Sequence, residues 1–261
     1  MKTAVVFLTH YFDAELEARY AKLKAEAPDG SSVFIMAEKG SAIPAALAAE
    51  THIFEFARLK KRPAKVIGDR LVPGNVHLAF LDFREAHPDF DHYWFIEYDV
   101  VFNGSWRSLF DAVGRDGSDL LAGGVRGRAD EPGWFWWPFM DFRGGPAEST
   151  WLRGFFPLCR ISRPALDAVA RRVTDGWTGH HEGLIPTAVR EAGLSFSDLG
   201  GTGRIRRRTG AGSFIRACLP PRGRCCSGLC APRRRTSCRS CFATSSTIRS
   251  RSARPRTGAT C

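Results

Sequence analysis

The stretch "WFIEYDVVF", residues 94–102, places two carboxylates inside one of the most apolar runs of the 261-residue chain. If the run is a buried strand, Glu97 and Asp99 share one face, with backbones about 6.6 Å apart. At that distance two carboxylates repel by about 2.5 kcal/mol at an effective dielectric of ~20, and burial adds a desolvation cost. A divalent cation with oxygen ligands would compensate. Alternatively, the strand leaves the core at Glu97, and the acids are solvated or paired with arginine.

A third acid, Glu182, lies in the segment "GHHEGLIPTAVREAGLSF", residues 179–196. The apolar spacing of this segment predicts a helix, and Glu182 falls in its first turn. There the helix dipole favours a negative charge by roughly 0.3–1 kcal/mol, which is sufficient reason for an acid. His180 and His181 precede Glu182, and either could bind a phosphate or a metal. A purely structural histidine pair is the alternative.

Aromatic residues crowd residues 130–157, mixed with glycine and proline. Sugars present flat apolar faces that stack on tryptophan, so Trp134, Trp136 and Trp137 are predicted to line a substrate site. Asp141 lies in the same segment and could bind hydroxyl groups. Ordinary core packing of these rings is the alternative interpretation.

The elements that must position these residues alternate between strand and helix patterns, which predicts an α/β domain with a mostly parallel sheet. Helices are expected between the strands, two of them capped by Asn75 and Ser105. Apolar runs predict strands at 3–10, 31–38, 52–57, 94–102, 119–125 and 154–162. In such sheets ligands bind beyond the carboxyl ends of the strands, where Glu97 and Asp99 would lie.

The order of helix, "DFDHYWFIEYDVVF", short loop "NGS" and capped helix resembles the GT-A glycosyltransferases. These nucleotide-sugar-dependent enzymes have a Rossmann-like sheet and a D-x-D motif after a central strand. Here the motif is Glu97-Tyr98-Asp99, with Glu in place of the first Asp. The resemblance implies that Asp99 ligates Mn²⁺ or Mg²⁺ on the nucleotide diphosphate and that Glu97 contacts the ribose or the metal shell.

The resemblance also implies roles outside the motif. In inverting members an acid at the start of a late helix acts as general base on the acceptor hydroxyl, and Glu182 matches it by position. Thr9 and His10 follow "AVVFL" at the end of the first strand, the edge that contacts the nucleotide base. Lys65 and Arg70 lie in a loop-like stretch where either could meet a phosphate. The expected partners are a nucleotide-sugar donor and an acceptor, either a glycan or a small molecule.

Charge divides the chain at about residue 204. The net charge is +11, but residues 204–261 hold fifteen arginines, seven of the eight cysteines and no acid or lysine. Residues 1–203, the expected domain, are left with 23 basic and 27 acidic residues. The tail is predicted to be a frameshifted reading, a disordered basic arm or, through Cys238 and Cys241, a metal module. A nucleic-acid partner is expected only if the tail is genuine.

No run reaches the ~18 apolar residues of a membrane span, and the N-terminal run "AVVFL" is too short for a signal peptide. The sequence therefore predicts a soluble, cytoplasmic, metal-dependent glycosyltransferase. If the tail is out of frame, the true C-terminus and any ligand it supplies are missing, and this form is expected to be inactive or poorly folded. Three alternatives stay open: a non-catalytic carbohydrate- or nucleotide-binding domain, a nucleic-acid-binding protein that uses the tail, and a metal-dependent hydrolase.

Overall fold

A seven-stranded sheet forms the centre of the computed structural model, which describes residues 1–63 and 65–200. In spatial order the strands run β3-β2-β1-β4-β6-β5-β7. All are parallel except β6, which is antiparallel to both neighbours, so the predicted mostly parallel sheet is confirmed. The strands are β1 (Thr3–Thr9), β2 (Ser32–Glu38), β3 (Thr51–Phe54), β4 (His92–Glu97), β5 (Leu120–Gly127), β6 (Leu152–Ser162) and β7 (Phe196–Asp198).

Helices cover both faces of this sheet, each over its own apolar cluster. One cluster includes residues of α3, α5 and α6, and the other includes residues of α1 and α4. The helices are α1 (Ala14–Ala25), α2 (Phe56–Leu59), α3 (Val76–Ala86), α4 (Trp106–Val113), α5 (Arg163–Thr174) and α6 (His181–Glu191). The predicted α/β class is therefore confirmed.

Of the two predicted helix caps, the structure confirms Ser105 but not Asn75. Ser105 caps α4 by accepting a hydrogen bond from the Ser108 backbone N–H at 3.5 Å. Asn75 occupies the N-cap position of α3, but its side chain makes no capping hydrogen bond. Instead it exchanges hydrogen bonds with the Ile67 backbone at 3.0 and 2.8 Å and donates to the Arg70 carbonyl at 2.7 Å. Asn75 thus holds the preceding loop in place.

The run 94–102 is not one strand, which corrects the sequence prediction. β4 ends at Glu97, Tyr98 and Asp99 form a turn, and the side chain of Val101 is 52% exposed. The strand ends where its neighbour does, since Leu8 near the end of β1 is paired with Glu97. Val100 and Phe102 instead pack against the apolar cluster of α1 and α4 beside the turn, whereas Val101 faces solvent.

β7 is a three-residue strand that the sequence did not predict. It pairs in parallel with β5 and brings Asp198 to full burial, where the carboxylate accepts a hydrogen bond from the Val125 N–H at 3.1 Å. The predicted domain end at 203 and the whole predicted tail, 204–261, lie outside the described residues. Within the described ranges, no helix has the length and apolar character needed to cross a membrane.

Candidate functional site

The two acids of the motif lie at the carboxyl end of β4. Glu97 is partly buried, and burial followed by repulsion from Asp99 raises the pKa of Glu97 to about 7. Asp99 is exposed on the turn, yet desolvation by the surrounding protein raises the pKa of its carboxyl too, against the opposing charge of Arg19. Arg19 also donates to the Tyr98 carbonyl at 3.0 Å, which ties α1 to this turn.

Glu182 lies in the first turn of α6 with its side chain only 15% exposed. Burial raises the pKa of Glu182 to about 8; Arg153 and a hydrogen bond with the Phe156 backbone oppose this rise, while the charge of Glu97 adds to it. The fold therefore brings Glu97 and Glu182 within electrostatic reach of each other, although 85 positions separate them in the sequence.

His180 is the N-cap residue of α6. Its Nδ1 accepts a hydrogen bond from the Glu182 N–H at 3.3 Å and lies 3.8 Å from the Glu182 Oε2. Burial, with a further contribution from His77, lowers the pKa of His180 to about 3, so the ring is neutral and the contact with Oε2 is not an ion pair. Burial lowers the pKa of His181 as well. The pair therefore has no positive charge to offer a phosphate near neutral pH.

Aromatic rings from residues 134–137 pack on this histidine pair. Trp136 stacks on His180 at 4.5 Å between ring centroids, and His180 in turn stacks on His181 at 4.6 Å. Trp134 meets His180 edge-on at 5.7 Å. Trp137 is buried, and its Nε1 donates to the Glu131 carbonyl at 2.9 Å, so this ring is part of the core. Core packing therefore holds for Trp137, while a substrate-binding role for Trp134 and Trp136 stays a prediction.

Close packing between the aromatic segment and α6 depends on Gly183. A Cβ at this position would lie 2.4 Å from Met140 Cε and 3.2 Å from a ring atom of Trp134. Asp141 joins the aromatic segment to the loop before α6 through its backbone, which bridges to Thr178. The Asp141 carboxylate itself is exposed and pairs with Arg143 at 3.3 Å.

The predicted base-binding residues lie at the end of β1, beside the acids. Thr9 is buried, and its hydroxyl donates to the Tyr11 carbonyl at 2.7 Å. His10 is exposed and belongs to an aromatic trio with Tyr11 and Tyr98, with ring centroids 4.8–5.3 Å apart. The sequence reading missed Tyr11 and Tyr98 as members of the site. The position of Tyr98 between the two acids was the signal available.

Lys65 and Arg70 lie in the loop between α2 and α3, and both are exposed. Arg70 pairs with Asp69, with 3.8 Å between Nε and Oδ1. The loop itself reaches the site at Gly74, whose carbonyl accepts a hydrogen bond from the His181 backbone N–H at 2.8 Å.

Glu97 and Asp99 provide part of the ligand set that a divalent metal ion requires. Across residues 1–63 and 65–200, no group of three histidine, cysteine or acidic side chains could hold an ion unaided. Glu97 and Asp99 supply hard oxygen donors and carry the mutual repulsion that a cation relieves. Mg²⁺ is usually held by one or two carboxylates together with substrate phosphates. The pair therefore fits a cation whose coordination is completed by a substrate.

Arg153 is a further member of the site that the sequence reading missed. It opposes the raised pKa of Glu182, lies 5.9 Å from the centroid of the Trp134 ring and pairs with Glu131, with 2.8 Å between Nε and Oε2. Its position on β6 within an apolar run gave no sign of this role.

No family model and no curated protein matches the chain. Among solved structures, the bifunctional IspDF from Campylobacter jejuni is 12% identical, with a TM-score of 0.41, over 80% of this chain and 52% of that one. This chain thus spans about half the length of that structure. A Bacillus anthracis chain assigned as a glucose-1-phosphate thymidylyltransferase, solved with sucrose, is 10% identical, with a TM-score of 0.38, over 77% and 91% of the two chains. Similarities this weak bear on neither activity nor substrate.

Proposed function

We propose that the protein is a metal-dependent glycosyltransferase of the GT-A type, which moves a sugar from a nucleotide-diphosphate donor to an acceptor hydroxyl. The observation that carries the proposal is the placement of three acids with raised pKa values, Glu97, Asp99 and Glu182, at one end of the sheet. A carboxyl whose pKa is strongly raised by desolvation and by a specific charged neighbour is a candidate for a functional site.

The motif acids would hold Mn²⁺ or Mg²⁺ together with the donor diphosphate. When bound, the cation acts as a Lewis acid that stabilises the charge developing on the leaving diphosphate. The ring trio of His10, Tyr11 and Tyr98 beside these acids supplies a surface on which a nucleotide base can stack. Lys65 and Arg70 remain candidates for phosphate contacts.

Glu182 would take the proton of the acceptor hydroxyl in an inverting reaction. The acceptor oxygen then forms a bond to the anomeric carbon as the bond from that carbon to the diphosphate oxygen breaks. With a pKa of about 8, Glu182 mostly holds a proton at neutral pH. Neutralising the charge of Glu97 removes one cause of this rise, so occupation of the donor site would lower the pKa of Glu182 towards the range a general base needs. His180 holds the backbone of Glu182 in place through the cap.

The proposal is tested with a thermal-shift panel on the full chain. The ligands are UDP, GDP, CMP and TDP, each with and without Mn²⁺. A ligand at about 100 times its dissociation constant adds about 2.7 kcal/mol to the free energy of unfolding. We expect a shift that requires both one nucleotide and Mn²⁺, that disappears in Asp99→Ala and that persists in Asp29→Ala, a control at an exposed acid.

The panel also identifies the donor class and leads to a rate measurement. With the matching nucleotide sugar, Glu182→Gln should keep the thermal shift while its transfer rate falls by roughly 10²–10⁴-fold. If no nucleotide shifts the melt of the cooperatively folded wild type, the proposal is wrong. A thermal shift that persists in Asp99→Ala would show that the motif acids do not bind the ligand. Binding without any transfer by the wild type would indicate a non-catalytic binding domain.

A further inference from the structure

The segment that supplies Trp136 also exposes two phenylalanine rings. Phe135 is 66% exposed and Phe139 is 46% exposed. Their centroids lie 5.6 Å apart, and each ring contacts Trp136, at 4.9 and 5.4 Å. We call these three residues the aromatic ridge. A contiguous group of exposed aromatic rings on a folded protein is usually an interaction site rather than leftover surface.

The aromatic ridge is continuous with the candidate catalytic centre. Trp136 stacks on His180, whose Nδ1 lies 3.8 Å from the Glu182 carboxylate. One side chain, His180, therefore separates Trp136 from the Glu182 carboxylate, a gap that a single acceptor molecule could span. Ile53, which is 54% exposed, lies instead on the edge strand β3, three strands away from β4.

The composition of the ridge favours an apolar occupant over a polyol. Phenylalanine side chains carry no polar atoms, and the exposed Pro132 and Pro138 beside them have no backbone N–H to donate. The acids Glu131 and Asp141, on either side of the ridge in sequence, are paired with Arg153 and Arg143. A sugar chain at this position would lose hydration of its hydroxyls without gaining hydrogen bonds, whereas an alkyl or aryl group loses only contact with water.

We propose that the aromatic ridge is the subsite for an apolar part of the acceptor, so that the acceptor is an alcohol or glycoside bearing an alkyl or aryl group. This inference rests on the proposed function, because it takes Glu182 as the point where the acceptor hydroxyl reacts. Phe135 and Phe139 would then determine acceptor specificity without contacting the donor.

The test measures binding of methyl, butyl, hexyl and octyl β-glucosides to the full chain by calorimetry, below their micelle concentrations. Each methylene that becomes buried should raise the affinity, by up to about fourfold. We expect this rise in the wild type and a flat series in Phe135→Ser/Phe139→Ser. Ile53→Ser is the control, since this side chain is similarly exposed on the edge strand β3, and it should keep the wild-type series.

Three outcomes would overturn the inference. They are a flat series in the wild type, an undiminished series in Phe135→Ser/Phe139→Ser, and a ridge-dependent sedimentation of the protein with phosphatidylcholine vesicles without binding of single alkyl chains. The last would make the ridge a membrane contact. The nucleotide and Mn²⁺ panel is run on the same variants and should be unchanged. Because the panel reports on the donor site and the glucoside series on the ridge, a failure of the proposed function is distinguishable from a failure of the subsite.

Discussion

Two acidic side chains with little exposure, Asp82 in α3 and Glu182 in α6, are shifted in opposite directions. Asp82 is 4% exposed, and its burial opposes ionisation, but hydrogen bonds with His52 at 3.1 Å and with Arg58 outweigh this and lower its pKa. Glu182 is 15% exposed, and burial raises its pKa to about 8. Burial alone therefore does not decide the charge of a carboxyl in this protein; the placed partners do.

The difference separates an acid whose charge is held by placed partners from one whose charge is opposed by burial. Each oxygen of Asp82 has a partner, so the carboxylate is stable in its charged form. Arg153, whose charge favours ionisation of Glu182, is also paired with Glu131, and Glu97 adds a like charge. The charged form of Glu182 is therefore disfavoured in the folded protein, which costs stability when the proton is lost.

The largest expected effect is that of Glu182 on how the free energy of unfolding depends on pH. Since the folded state raises the pKa from 4.5 to about 8, the unfolded state loses this proton first, and stability falls as the pH rises from about 4.5 to 8. His180 stays neutral over this range, while Glu97 and Arg153 face the carboxyl. Glu182→Gln should therefore be more stable than wild type by roughly 2–4 kcal/mol at pH 8.5 and equal to it at pH 4.

Urea unfolding at pH 4, 6 and 8.5 measures this difference. Glu191→Gln, at the exposed end of the same helix, is the control and should follow the wild type at every pH. If wild type and Glu182→Gln differ by the same amount at pH 4 and 8.5, Glu182 is an ordinary ionised acid and the contrast with Asp82 is lost.

The opposite response is expected at Asp82. Asp82→Asn removes the negative charge to which His52 and Arg58 are hydrogen-bonded. The substitution should lower the free energy of unfolding by about 1.5–3 kcal/mol at pH 7. Because the folded pKa of Asp82 is lowered, this loss should shrink as the pH falls below about 4. Nucleotide and Mn²⁺ binding should be unchanged, while Asp29→Asn should leave stability within about 0.5 kcal/mol. A stable Asp82→Asn protein that loses ligand binding would show that the network is functional.

The smallest effect on stability is expected at Gly183, where Met140 and Trp134 of the aromatic segment pack on α6. Gly183→Ala should cost about 1 kcal/mol, because the new methyl displaces only the flexible end of Met140 and the edge of Trp134. For a chain of this size that corresponds to a drop of about 2–4 °C in Tm. Gly133→Ala, in the same segment with nothing within 4 Å of the new Cβ, should leave Tm unchanged. Equal melts for both variants would mean that the segment is not closely packed on α6.

The fold was readable in sequence wherever a local pattern decides an element. Alternating apolar runs and helical spacing predicted six of the seven strands and the helices after Asn75 and Ser105. The short β7 was not predicted because three residues are too few to show an alternating pattern. Its strand conformation depends on pairing with β5. The assignment of residues 94–102 to one strand failed because apolar character alone does not show whether a segment is paired or packed beside a turn.

For the candidate site, too, some features followed from local sequence and others depended on the tertiary structure. The sequence by itself placed Glu97 and Asp99 at a strand end, Glu182 in a first helical turn and the tryptophans in one segment, because these depend on spacing along the chain. Only the tertiary structure decided that Glu182 approaches Glu97, that His180 and His181 are neutral, and that Trp136 faces the site while Trp137 is in the core. The charge of a carboxyl or an imidazole depends on burial and on partners distant in sequence, and those are set by how the helices pack on the sheet.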